Sequence, residues 1–141
     1  MLGNVCTKPV VTVRGETTVA DAARLMRSKK VGALVVVGSG RPKGILTDRD
    51  IAVNVVAQGW DPASVYVGDV MRKNPTVIRE DKGIFDAVKT LSQKGFRRLP
   101  VVNKGGKLVG IIALDDLLML FGSEMGLIGA TLSRELRRAP V

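Results

Sequence analysis

The chain has no histidine, one cysteine, and aromatic residues at only 4% of its 141 positions. A single cysteine excludes an intramolecular disulfide, and without histidine a zinc site would need unusual ligands, so no metal site is expected. So few aromatics leave little stacking surface for single-stranded nucleic acid. Long apolar runs are also missing: the longest, 33–37 and 117–121, fall far short of a bilayer span, so no membrane partner is expected. The first five residues, MLGNV, have neither a basic stretch nor an apolar core, so a cytoplasmic location is expected rather than secretion. Catalysis is not expected, because histidine, a nucleophile–base pair and a metal cluster are all wanting.

What is present suits a folded domain. Hydrophobic residues make up 45% of the chain against 25% charged, enough for a sizeable core. The 22 Lys and Arg outweigh 13 Asp and Glu, for a net charge of +9. That balance implies an anionic partner or nothing more than solubility. The cations are scattered rather than gathered in a tail, and charge alone does not separate a nucleotide from a polynucleotide.

The chain also says nearly the same thing twice. Gly44-Ile45-Leu46-Thr47-Asp48-Arg49-Asp50 returns as Gly110-Ile111-Ile112-Ala113-Leu114-Asp115-Asp116, an offset of 66 (110 − 44). At offset 65 (86 − 21), Asp21-Ala22 falls on Asp86-Ala87, Leu34 on Leu99, Val36-Val37 on Val101-Val102 and Gly40 on Gly105. The approaches match too: Gly3, Val5 and Lys8 fall on Gly68, Val70 and Lys73. One such unit cannot bury its apolar face alone, so two should close about a pseudo-twofold axis with clefts between them.

Each unit reads as strand-helix-strand-strand-helix. In the first, β-branched residues 10–13 suggest an edge strand, and Val19, Ala22, Ala23 and Met26 form a helical stripe over 19–28. Residues 33–37 suggest a buried strand, a turn leads into a strand over 44–47, and 48–57 complete the unit as a helix. In the second, the counterparts are a strand at 76–78, a helix at 84–94, strands at 99–102 and 108–113, and a helix at 114–121. The expected organisation is repeat 1 over 1–59, a linker over 60–67 with Trp60 as a packing anchor, and repeat 2 over 68–122. A helical extension comes next, over 123–141, where Phe121, Met125, Ile128 and Leu132 make an amphipathic stripe.

The unit order, the repeated glycine-to-aspartate segment and the run Arg97-Arg98-Leu99-Pro100-Val101-Val102 together resemble the CBS domain family. Two copies in tandem resemble a Bateman module of the stand-alone prokaryotic type, from about Gly3 to Gly122. The resemblance implies an α+β fold of two pseudo-symmetric repeats. It also implies a regulatory role, with an adenosine-containing ligand in the clefts between repeats and no cofactor required. AMP, ADP or ATP is the expected ligand, with NAD and S-adenosylmethionine as alternatives.

By that resemblance Asp50 would grip the ribose, and Thr47 the ribose or a phosphate, in keeping with the strength of charge-assisted bonds to a carboxylate. Thr-x-x-Asp before a helix is also a capping box. The two readings part in the second repeat, where Ala113 has no hydroxyl and yet Asp116 stays. Persistence of the acid favours a ligand role for Asp116, with Asp115 available as a substitute cap. Arg97 and Arg98, whose counterparts are Gly32 and Ala33, are candidates for holding phosphate through a planar fork, Arg98 foremost. The first strands of the repeats nominate Val10 and Val11 opposite Asp116, and Thr76 and Val77 opposite Asp50, as an adenine slot. Cys6 matches Met71 and should pack rather than react.

The helices 48–57 and 114–121 are apolar on more than one face, which predicts a homodimer through them. The leading expectation is a nucleotide sensor read by an unidentified downstream protein. A basic polynucleotide-binding or protein-interaction module is the alternative.

Overall fold

A computed structural model describes residues 1–138. Two sheets carry the repeat. The first has β1 (Thr12–Val13), β2 (Ala33–Gly38), β3 (Arg41–Thr47) and β4 (Arg72–Lys73) in that order. The second has β5 (Ile78–Arg79), β6 (Arg98–Val102) and β7 (Leu108–Ala113). In each sheet the first strand pairs parallel with the second, through the crossover helix α1 (Val19–Lys29) or α4 (Ile84–Lys94), and the second pairs with the third as a hairpin. The hairpin registers are equivalent: Ala33 faces Thr47 and Val36 faces Gly44, as Arg98 faces Ala113 and Val101 faces Gly110. A bulge comes after Val36 in one and after Val101 in the other. The step in offset from 65 to 66 is therefore one residue added in the second turn, where it disturbs no pairing.

The helix α2 (Asp48–Ile51) makes one α turn and widens into a π turn over Ala52–Val56, with the Ala57 N–H donating five residues back to Ala52. The strands expected at 10–13 and 76–78 shrink to β1 and β5. Pro75, which has no N–H to offer a ladder, and Asn74 at φ 51° delay the second strand and leave Thr76 ahead of the sheet. Trp60 is 52% exposed, so it is not the anchor of the linker. Backbone bonds anchor it instead, from Val19 to Val65 and from Ala20 to Pro62.

The segments that enter the two repeats are exchanged. Val67 and Val70 of the short helix α3 (Val67–Val70) lie in the first core with Val19, Leu34, Val36 and Leu46. Leu2 lies in the second core with Leu91, Leu99, Val101 and Ile112. Behind them, β4 pairs antiparallel with β3, and Thr7 bridges antiparallel to Ile111. Only glycine fits at the contact: a Cβ on Gly44 would press on Met71 and lie 2.8 Å from the Arg72 carbonyl oxygen, and one on Gly110 would press on Cys6 and lie 3.2 Å from the Thr7 carbonyl oxygen. Cys6 thus packs where Met71 packs in the other half, as their alignment predicts. This reciprocal exchange is what the matched approaches in the sequence encode.

The last helix, α5 (Leu114–Arg138), runs 25 residues without a break, joining the expected second-repeat helix to the expected extension. Gly122, Gly126 and Gly129 do not interrupt it; their cost, about 1 kcal/mol each, does not stop a helix already begun on the core through Leu117. Beyond Gly122 it stands clear of the cores, with every described side chain exposed.

Candidate functional site

Thr47 ends β3 in extended conformation and caps α2. Its hydroxyl accepts the Asp50 N–H at 3.1 Å, and the Asp50 carboxylate accepts the Thr47 N–H at 3.0 Å. This reciprocal box satisfies two helix-end donors. Asp50 is 5% exposed and is the one buried charged residue among those described. Its second oxygen accepts from Arg72 Nε at 3.3 Å, so β4 of the exchanged segment supplies its counter-ion. Arg72 itself is 59% exposed.

The second repeat keeps half of the box. Asp116 accepts the Ala113 N–H at 3.4 Å without any hydroxyl in return. Asp86 does the same for Gly83 at 3.1 Å, at the start of α4. A carboxylate three residues into a helix therefore needs no threonine to act as a cap. The persistence of Asp116 beside Ala113 does not separate a ligand role from a capping one, contrary to the expectation from sequence. Asp115 does not replace the cap; it faces Arg97 at 3.4 Å. Asp116 is exposed, with no ion pair among the described residues, and borders an open groove of about 420 Å³ with Thr7, Leu117 and Met119.

A cleft of about 400 Å³ lies where the repeats meet. The first repeat supplies Ile45, Thr47, Asp48 and Arg49, and the exchanged strand supplies Arg72 and Lys73. The second supplies Thr76, Phe96, Arg97 and Arg98. Thr76 thus meets Thr47 across the cleft. Arg97 and Arg98 share this cleft with Thr47 instead of serving a separate one. Val77 is 40% exposed and outside the lining, and Val10 and Val11 line neither cavity; Val11 packs on the first core.

Five cations therefore face one cleft: Arg49, Arg72, Lys73, Arg97 and Arg98. Sequence reasoning did not single out Arg49, Arg72 or Lys73 as site residues. The signal that could have found two of them was the repeated approach, since Lys8 and Lys73 match and a matched approach has a matched docking place.

Two α+β halves that exchange their entry segments around a cation-lined cleft of ligand size define a paired-repeat module. The chain belongs to the CBS domain family, which matches residues 2–56 and again 67–123. It is 42% identical over 111 residues to the CBS domain-containing protein YhcV of Bacillus subtilis, covering 79% of this chain and 78% of that one. It is 37% identical over 120 residues to the uncharacterized protein MK0525 of Methanopyrus kandleri, covering 84% of this chain but only 61% of the relative's length. Among solved structures, CBSX2 in complex with AMP superposes with a TM-score of 0.74 at 29% identity, covering 88% of this chain and 97% of that one. The CBS domain pair of protein MJ0100, in complex with 5-methylthioadenosine and S-adenosyl-L-methionine, superposes at 0.78 with 25% identity and the same coverage. No helix among the described residues is long and apolar enough to cross a membrane.

Proposed function

We propose that this protein is a sensor that binds an adenine nucleotide of the AMP, ADP or ATP class in the cleft between its repeats. The observation that carries the reading is the convergence of both repeats on one cleft. Thr47 and Asp48 stand on one side, Thr76, Arg97 and Arg98 on the other, and five cations surround the space. A phosphate among planar guanidinium groups gains bidentate bonds. Thr47 offers a hydroxyl at a helix start, and Asp50 lies behind Arg72 for a ribose. The AMP complex of CBSX2 supports the adenosine part of the ligand. NAD and S-adenosylmethionine fit the positive lining less well, because the nicotinamide cation offsets part of the pyrophosphate charge in the first and the second has a sulfonium cation and no phosphate.

A ligand touching both repeats shifts their relative placement only through its different affinity for the two arrangements. A downstream protein would read that shift, a regulatory role without turnover. Calorimetry with AMP, ADP, ATP, NAD and S-adenosylmethionine tests the reading. Binding of an adenine nucleotide, weakened about tenfold by Arg98→Ala, is the expected result; no binding of any of the five at millimolar concentration overturns it.

The net charge of +9 favours one second reading, a polynucleotide partner. It predicts affinity for nucleic acid that falls steeply with salt and does not depend on Thr47. A homodimer through the helices 48–57 and 114–121 accounts for the exposed Val53, Val56, Leu118 and Met119. Sedimentation of the wild type as a dimer, and of Leu118→Glu with Met119→Glu as a monomer, is expected. A monomeric wild type at micromolar concentration removes the dimer.

A further inference from the structure

We propose that Arg72 makes this cleft select phosphorylated adenosine ligands over adenosine itself, an inference that rests on the nucleotide reading above. Asp50 is the only buried charged residue described, and both its oxygens are engaged. One accepts the Thr47 N–H at 3.0 Å; the other accepts Arg72 Nε at 3.3 Å. The first bond belongs to the helix start and stays. Asp50 is 5% exposed and does not itself line the cleft, whereas Arg72 does, so a ribose that reaches the carboxylate has to displace Arg72.

The consequence of that displacement depends on the ligand. Adenosine brings two neutral hydroxyls, so Asp50 exchanges a charged donor for neutral ones and Arg72 is left with water. The hydroxyl bonds to the carboxylate are charge-assisted as well, but the ion pair is lost and the guanidinium is left without an anion, so that exchange is unfavourable. A nucleotide brings the same hydroxyls together with an anion. Arg72 lines the same cleft as Arg97 and Arg98, so the displaced guanidinium finds a new partner on the phosphate. The penalty is returned within the site.

Nothing in the second repeat repeats the device. The position matching Arg72 is Thr7, at the same offset of 65 (72 − 7), and Asp116 has no cationic partner among the described residues. Selectivity of this kind is confined to the cleft that Arg72 lines.

The test is isothermal calorimetry with adenosine, AMP and ATP on the wild-type protein and on Arg72→Ala and Arg72→Gln. The second variant retains hydrogen-bond donors without charge and guards against a folding defect in the first. In both, adenosine is expected to bind about threefold tighter, the gain from removing a half-exposed competitor. ATP is expected to bind about tenfold weaker, the loss of one charge-assisted contact. The ATP-to-adenosine ratio then collapses by about thirtyfold, the product of the two. An equal change for both ligands overturns the role of Arg72 and leaves the nucleotide reading standing. Binding of none of the three to the wild-type protein overturns both.

Discussion

At matching places the two halves carry Thr47 and Ala113, Arg98 and Ala33, Arg97 and Gly32, Arg72 and Thr7, Arg49 and Asp115. Every member of the first set lines the cleft of about 400 Å³. The second set holds one charged residue, and it is an acid. The hairpin registers and the glycines under the exchanged segments are repeated, while the chemistry at these five pairs is not. A twofold scaffold needs its glycines and apolar positions in both copies to close. It needs charge only where a ligand sits, so each pair is free to diverge.

The largest expected effect tests the shared part of that scaffold. Gly44→Ala places a methyl group 2.8 Å from the Arg72 carbonyl oxygen, whereas Gly110→Ala meets the Thr7 carbonyl oxygen at 3.2 Å. Overpacking of this kind costs about 1–3 kcal/mol, and the closer backbone contact puts Gly44→Ala at the upper end and Gly110→Ala near the lower. Urea unfolding of the two variants measures the difference, and equal losses would mean that the two exchanged strands press equally on their hairpins.

Next comes the pair of aspartates. Removing Asp50 breaks the reciprocal box and strips Arg72 of its partner, a loss of about 2 kcal/mol. Removing Asp116 forfeits one 3.4 Å bond at an exposed helix start, a loss of about 0.5 kcal/mol. Thermal unfolding of Asp50→Ala and Asp116→Ala gives the contrast directly. If both cost the same, burial and the ion pair contribute nothing and the two helix starts are equivalent after all.

Ligand binding is expected to show the same asymmetry. Arg98→Ala should weaken ATP about tenfold, or about 1.4 kcal/mol, while leaving stability nearly unchanged. The reciprocal Ala33→Arg puts an arginine at the matching place, and no comparable change in ATP affinity is expected because the second half has Ala113 where the first has Thr47. Calorimetry on the two variants decides this; a gain from Ala33→Arg equal to the loss from Arg98→Ala would mean that both halves bind.

Much of this was legible in the sequence. The repeat gave the family, the order of elements and the match of Cys6 with Met71, since periodic apolar residues and glycines report on backbone geometry. The clefts were less legible. Thr47, Thr76, Arg97 and Arg98 do line one cleft, but that they share it was not readable, because strand order alone does not tell which edges meet. Arg72 was missed because its contact with Asp50 spans 22 residues and depends on the exchange of entry strands. Asp116 misled for a different reason: a carboxylate three residues into a helix has its own use for the nearest N–H, with or without a ligand.

The smallest expected effect is the most direct examination of the asymmetry. Thr7 occupies in the second half the place of Arg72 in the first, and both belong to a segment that crosses to pair with a hairpin strand. Thr7→Arg should therefore bring a guanidinium to Asp116. Asp116 is exposed where Asp50 is 5% exposed, so solvent screens the new pair and its coupling should reach no more than about 0.5 kcal/mol. A double-mutant cycle with Asp116→Ala isolates that coupling from the other consequences of the substitution. A coupling near this value shows that position alone provides the counter-ion and burial provides its strength. A coupling as large as that of Arg72 with Asp50 would mean that burial matters little, and a coupling of zero would mean that the exchanged segments do not place their side chains alike.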